Sequence, residues 1–170
     1  MSNNAYIGVD PGASGAMCII VVPEKGEEEI HFLDHKSNEI IERYKWLFDA
    51  GEELNIKKAM LEKVHSLMGM SAKSNFTFGG QFFMCVTLLT LQRFGWDYVQ
   101  PKTWQKTVGI PEKKKGIKRS SAQLKKLVAE RCLQIYPNAK IYGPKGGLLD
   151  GRSDALIIAH YCRFLYANGL

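Results

Sequence analysis

The stretch YIGVDPGASGAMCIIVV, Tyr6–Val22, decides how the chain begins. Apolar and small residues lead up to a single carboxylate, Asp10; Pro11, Gly12 and Gly15 then interrupt the run before Ala16–Val22 resumes it. Two apolar runs joined by a Pro/Gly turn read as a hairpin of buried strands. A carboxylate at the end of such a strand is costly unless it is hydrogen-bonded, paired or bound to a cation. Asp before Pro-Gly is most often a turn residue, so Asp10 gains weight only if other carboxylates keep it company.

Outward from the hairpin, the charged turn Glu24–Glu29 leads to a third strand, EIHFLDH, whose alternation of Ile30 and Phe32 with Glu29 and His31 predicts one solvated face. Ser37 reads as the N-cap of a helix carrying Ile40, Ile41, Tyr44, Leu47 and Phe48 at helical spacing. Lys57–Val64 is a short apolar strand with Glu62 at its end. The Met-, Ser- and Gly-rich segment Ser66–Asn75 reads as a mobile connection, and Phe76–Phe94 as one long helix. Gly79 and Gly80 fit that helix if something packs close to the backbone there. WDYVQP is a further strand, and Trp104 opens a helical turn before the basic loop GIPEKKKGIKR. Ser121–Tyr136 is an amphipathic helix, YPNAKIYGPKGGLLDG a Pro/Gly connection, and Gly151–Ala167 the last helix. The order β-β-β-α-β-α-β-α-α predicts an α/β layer fold on a mixed sheet. With 170 residues and no repeat or linker, 1–170 reads as a single domain.

Composition narrows the class. Hydrophobic residues make up 45% of the chain, enough for a sizeable core. The four cysteines form no CxxC pair, which predicts a reduced, intracellular protein. MSNNAY lacks the basic-then-apolar pattern of a signal peptide, and the longest apolar run, Phe82–Leu91, is too short to cross a bilayer. These features predict a cytoplasmic location and no membrane partner. A net charge of +6 and a pI near 9.1 suit a polyanionic partner.

Carboxylates recur where packing alone would not put them. Asp10 follows YIGV, Glu62 follows AML, and Asp150 and Asp154 frame the start of DGRSDALIIAHY. Each has a bland reading: a turn, an exposed strand flank, an N-cap, a partner for the helix dipole. Together they describe carboxylates meeting at the ends of buried elements, which requires cations to offset their repulsion. A hard divalent ion suits such oxygen ligands, Mg²⁺ first among them. Asp150 and Asp154 share a helix face if the helix begins at or before Asp150.

IGVDPGASGA, AMLEKVHSL and LLDGRSDALIIAHY resemble the motifs of RuvC-type Holliday junction resolvases of the RNase H-like superfamily, in the form found in phage and viral members. FGGQFFMCVTLLTLQRFGWDYVQPKTWQKTVGI and SAQLKKLVAERCLQIYP resemble the middle of that family, so the resemblance runs along nearly the whole chain. It implies an RNase H-like α/β fold: a mixed five-stranded sheet with an N-terminal three-stranded antiparallel part, flanked by helices. It further implies a homodimer whose two sites nick two strands of a four-way junction or other branched DNA. Asp10, Glu62 and Asp154 match the family's acidic positions. The spacing of Asp150 from Asp154 departs from the bacterial enzymes, so Asp150 is a direct ligand, acts through a water, or caps the helix. His65 lies near the position of an aromatic wedge in bacterial members, which leaves His65, Phe76 or Phe78 to open the junction. The implied cofactor is two Mg²⁺ per site about 4 Å apart, with Mn²⁺ as a substitute and Asp10 bridging both. The implied product is a nick with 5′-phosphate and 3′-hydroxyl ends.

For the DNA, Lys113, Lys114, Lys115, Lys118 and Arg119 form the densest basic run and read as a phosphate clamp. Lys125 and Lys126 extend it along one helix, and Lys102 and Lys106 join it. Trp104 reads as core. The apolar excess over Phe82–Leu91 fits either a dimer face or a fully buried central helix. Three other functions remain open at this point: a non-catalytic branched-DNA-binding module, a nuclease acting on RNA–DNA hybrids, and an actin- or sugar-kinase-like ATPase. The ATPase needs two such domains, and the chain has length for one.

Overall fold

The computed structural model describes residues 2–64, 71–111 and 119–167. Five strands form one sheet: β1 (Asn4–Val9), β2 (Ala16–Val22), β3 (Glu29–Asp34), β4 (Asn55–Glu62) and β5 (Trp96–Val99). Their order is β3-β2-β1-β4-β5. The first three pair antiparallel, while β4 and β5 join parallel, so the sheet is mixed as expected. The helices among the described residues are α1 (Ile40–Glu53), α2 (Ala72–Thr90), α3 (Pro101–Thr107), α4 (Ser121–Ile135) and α5 (Asp150–Tyr166), with a 3-10 turn at His35–Ser37.

Alternation along the strands sorts the core into two layers. Ala5, Ile7 and Val9 of β1 pack with Leu47 of α1 and Cys85, Leu88 and Leu89 of α2. Tyr6 of β1 and Met60 of β4 face the other way, toward α3, α4 and α5. The strand period of two therefore sends Asp10, two residues beyond Gly8, and Glu62, two beyond Met60, toward the α5 side. Gly8 pairs with Met60 and Val9 with Leu61, so the two carboxylates follow on neighbouring parallel strands. Gly8 also lets α5 lie on the sheet: a Cβ there would fall 2.2 Å from Ala155 O and Ala159 N.

Several boundaries differ from expectation. Ser37 ends the 3-10 turn, and Glu39 caps α1 through a reciprocal capping box with Glu42. Residues 72–75, read as part of a mobile connection, are the first turn of α2, capped by Ser71, whose Oγ accepts from Ser74 N. That helix stops at Thr90, short of Phe94. Among the described residues nothing lies within 4 Å of a Cβ built on Gly79 or Gly80, so no close neighbour there explains them. Nor is α2 fully buried: Phe76 is 85% exposed, Phe83 67% and the following Leu91 62%. All four cysteines are buried free thiols. Among the described residues no helix is long and apolar enough to cross a membrane.

Candidate active site

Three elements bring carboxylates to one end of the sheet. Asp10 follows β1 in a turn closed by Asp10 N–H to Ala16 O (3.0 Å) and Gly15 N–H to Gly12 O (2.9 Å). Its own Oδ1 accepts from Gly12 N–H at 3.0 Å. Glu62 closes β4. Asp150 and Asp154 stand one turn apart on α5, whose first residue is Asp150. Leu149 holds the N-cap position without a side-chain bond, so Asp150 is not the cap. The start of α5 is seated on the Asp10 turn by a bridge between Gly15 and Gly151, where a Cβ on Gly151 would lie 2.3 Å from Ser14 O.

The electrostatics follow from crowding. Burial pushes the Asp10 carboxyl up to about 6; the Gly12 amide resists this, Asp150 adds to it and Lys125 opposes it. Burial and then the charge of Asp10 push Glu62 up to about 7, against a hydrogen bond from Trp104. Asp154 is raised well above the carboxylate range, by burial first and then by Asp10, Glu62 and Asp150. Asp154 Oδ1 is buried and, among the described residues, has no hydrogen-bond partner. Lys125 is the visible countercharge, 2.5 Å from Asp150 Oδ2. These are the marks of carboxylates that a cation would relieve.

Among the described residues no three such side chains close into a ready-made ligand cage. The carboxylates stand within electrostatic reach of one another rather than in contact around a point. The donors are all hard oxygens, and one of them is buried and unpartnered, so the residues fit a divalent cation.

A cleft of about 920 Å³ opens beside the carboxylates, with Glu62 and Asp154 on its wall and Lys102, Lys125 and Phe78 among its lining. Lys106 is exposed on α3. Arg119 Nη1 donates to Pro111 O at 2.6 Å, tying together the two sides of the basic loop. Phe76 stands outside the cleft lining, on the exposed part of α2. His65, Lys113, Lys114, Lys115 and Lys118 lie outside the described residues.

Two supports were not anticipated. The first braces the Asp10 turn from behind. His35 is buried; its N–H donates to Gly15 O (2.9 Å) and its Nδ1–H to Gly12 O (3.2 Å). Burial and the nearby Arg43 lower its pKa to about 4, so its ring is neutral at pH 7. Buried Arg43 in turn donates to His35 O, to Asn38 O (3.0 Å) and to Gln81 Oε1 of α2 (3.0 Å). The second support is Trp104, which is core as expected but whose Nε1–H also donates to Glu62 Oε1 at 3.0 Å. Neither support has a local sequence signal, since His35 is 23 residues from Gly12 and Trp104 is 42 from Glu62.

No family model matches the chain, and no curated protein matches it. Solved structures do. Thermus thermophilus RuvC in complex with a Holliday junction substrate aligns at TM-score 0.60 and 12% identity, over 97% of this chain and 96% of that one. A second Thermus thermophilus RuvC structure aligns at TM-score 0.53 and 14% identity, over 95% of this chain and 97% of that one. The yeast mitochondrial Holliday junction resolvase Ydc2 aligns at TM-score 0.45 and 14% identity, over 99% and 85%. The RuvC alignments span both chains almost end to end, and the fold is the RuvC-like RNase H fold.

Proposed function

We propose that the chain is a single-domain, metal-dependent nuclease that resolves Holliday junctions and other branched DNA by paired nicking. The observation that carries this reading is the meeting of Asp10, Glu62 and Asp154 on the α5 face of a RuvC-like sheet, beside a cleft bearing Lys102 and Lys125. Asp10, Glu62 and Asp154 would hold two Mg²⁺, or Mn²⁺ in their place, with Asp150 a ligand directly or through a water. When bound, such a pair activates a water and stabilises the leaving 3′ oxygen, giving 5′-phosphate and 3′-hydroxyl ends.

The chain's own residues do the rest. The Asp10 turn, pinned by Gly12, Gly15 and His35, holds its carboxylate still. Lys125 offsets the cluster's negative charge until cations arrive, and Lys102, Lys106, Arg119 and the basic run Lys113–Lys118 grip the duplex arms through phosphate contacts. Phe78 at the cleft, exposed Phe76 and His65 are the candidates for opening the junction. Two copies pair through the apolar face of α2, around Phe83, so that two strands are cut together. The setting is the cytoplasm of a bacterial or phage-infected cell, in keeping with the phage-like DGRSDAL motif.

The test is cleavage of four-way, three-way, RNA–DNA hybrid and linear duplex substrates side by side, with and without Mg²⁺. Junction nicking that needs the metal is expected. Equal or better cleavage of the hybrid would make this an RNase H, and tight junction binding without nicking would make it a binding module.

A further inference from the structure

Trp104 is 1% exposed. An indole N–H is a donor with no acceptor capacity, and when buried it must find a partner. Here the partner is not a backbone carbonyl but Glu62 Oε1, at 3.0 Å. The strand register explains how the two meet. Glu62 pairs with Val99, and the chain leaves β5 at that point. Pro101 takes the first position of α3, where its fixed φ suits a helix start. One turn later Trp104 N–H reaches Gln100 O (3.4 Å), which carries the indole back over the end of β4. The far end of α3 is clamped to α4 by Arg131 Nε donating to Val108 O at 2.5 Å, and Val108 and Ile110 are buried. The indole is therefore held from both sides.

From this geometry we infer that Trp104 is a positioning residue for Glu62: its N–H engages one carboxylate oxygen and thereby dedicates the other, Oε2, to a divalent cation. The terminal torsion of a glutamate is broad and two-fold. Without a donor, either oxygen can turn toward the metal, and ordering the group on binding costs affinity. Partners that orient a ligand in this way typically change metal affinity or activity by about 10- to 100-fold. The inference rests on the proposed metal-binding role of Glu62. The other tryptophans are placed differently: Trp46 and Trp96 pack, partly buried, on the opposite core layer.

The three indole N–H signals of the ¹⁵N-labelled full chain, assigned with Trp46→Phe and Trp96→Phe, provide the test. Mg²⁺ without DNA is expected to shift the Trp104 signal while the other two stay, and Mn²⁺ to broaden it at the lowest concentration of the three. Glu62→Gln keeps an acceptor for the N–H but removes the charge, so the Mg²⁺-induced shift should vanish. Trp104→Phe keeps an aromatic ring in the core; Mn²⁺ binding should weaken about tenfold with the thermal midpoint within a few degrees of wild type. A Trp104 signal indifferent to Mg²⁺ in a chain that binds Mg²⁺ overturns the inference, as does wild-type Mn²⁺ affinity in a folded Trp104→Phe. If Trp104→Phe does not fold, the spectra of the wild type and Glu62→Gln decide alone. A wild type that binds no divalent cation would overturn the proposed function and the inference with it.

Discussion

Against one face of the sheet lies α5, against the other α1 and α2, and the two coverings differ in how closely they approach. α5 buries Gly151, Ser153, the run Ala155–Ala159, Tyr161 and Cys162, and sits so near β1 that Gly8 has no room for a side chain. α2 buries Cys85, Leu88 and Leu89 and leaves Phe76 and Phe83 in solvent. The close face ends in carboxylates; the loose face carries spare apolar surface. Under the proposed function the difference has a purpose. Carboxylates sharing cations would have to be held within a fraction of an ångström, and a helix pressed on backbone supplies that. A face meeting a second copy would have to keep apolar area uncovered.

The comparison breaks most sharply at its glycines. Gly8→Ala would drive a methyl into the backbone of α5, which cannot rotate away, and a loss at the top of the about 1–3 kcal/mol range for overpacking is expected in chemical denaturation. A loss under about 0.5 kcal/mol would mean that α5 does not press on β1.

The next effect concerns charge on the close face. Asp10 and Glu62, raised to about 6 and about 7, bind protons more readily folded than unfolded. Without metal, their contribution to stability is full below about pH 4 and is lost as pH rises through about 7, since ionisation of the crowded cluster opposes folding. The thermal midpoint of metal-free protein should fall over that window. Mg²⁺ at pH 7.5 should restore it, and Asp154→Asn should flatten the profile. A midpoint that rises steadily from pH 4 to 7 without metal would contradict the crowded cluster.

On the loose face, Phe83→Glu should leave stability nearly unchanged, since exposed substitutions stay within about 0.5 kcal/mol. If the proposed dimer forms through α2, it should shift the sedimentation profile from dimer toward monomer. An unaltered dimer would move the pairing surface off α2. On the same helix Gly79 stands mid-helix with nothing among the described residues near its Cβ position. Gly79→Ala should stabilise by about 0.5–1 kcal/mol, the opposite sign to Gly8→Ala.

Much of the close face was legible in the sequence because its signals are local. The Pro/Gly turn after Asp10 marked the hairpin, the apolar runs marked buried strands, and the four-residue spacing of Asp150 and Asp154 allowed both on one helix face once the helix begins at Asp150. What stayed hidden depends on long-range partners. Lys125 reads as a phosphate contact, and nothing local says that it also pairs with Asp150. Arg43 sits on an otherwise ordinary amphipathic helix, and nothing local says that its guanidinium gathers α1, α2 and the turn behind Asp10. Trp104 showed its ring but not the aim of its N–H. The start of α2 was missed because Gly- and Met-rich neighbours outweighed the Ser71 cap.

The central claim is that the carboxylate cluster cuts branched DNA with bound metal, and Asp10→Asn tests it most directly. The change is nearly isosteric and keeps the Gly12 amide contact available while removing the charge. Four-way-junction binding and Mg²⁺-dependent nicking, measured on the same preparations of wild type and variant, should separate: binding within a fewfold of wild type, nicking lost. Nicking near the wild-type rate in the variant would contradict the account.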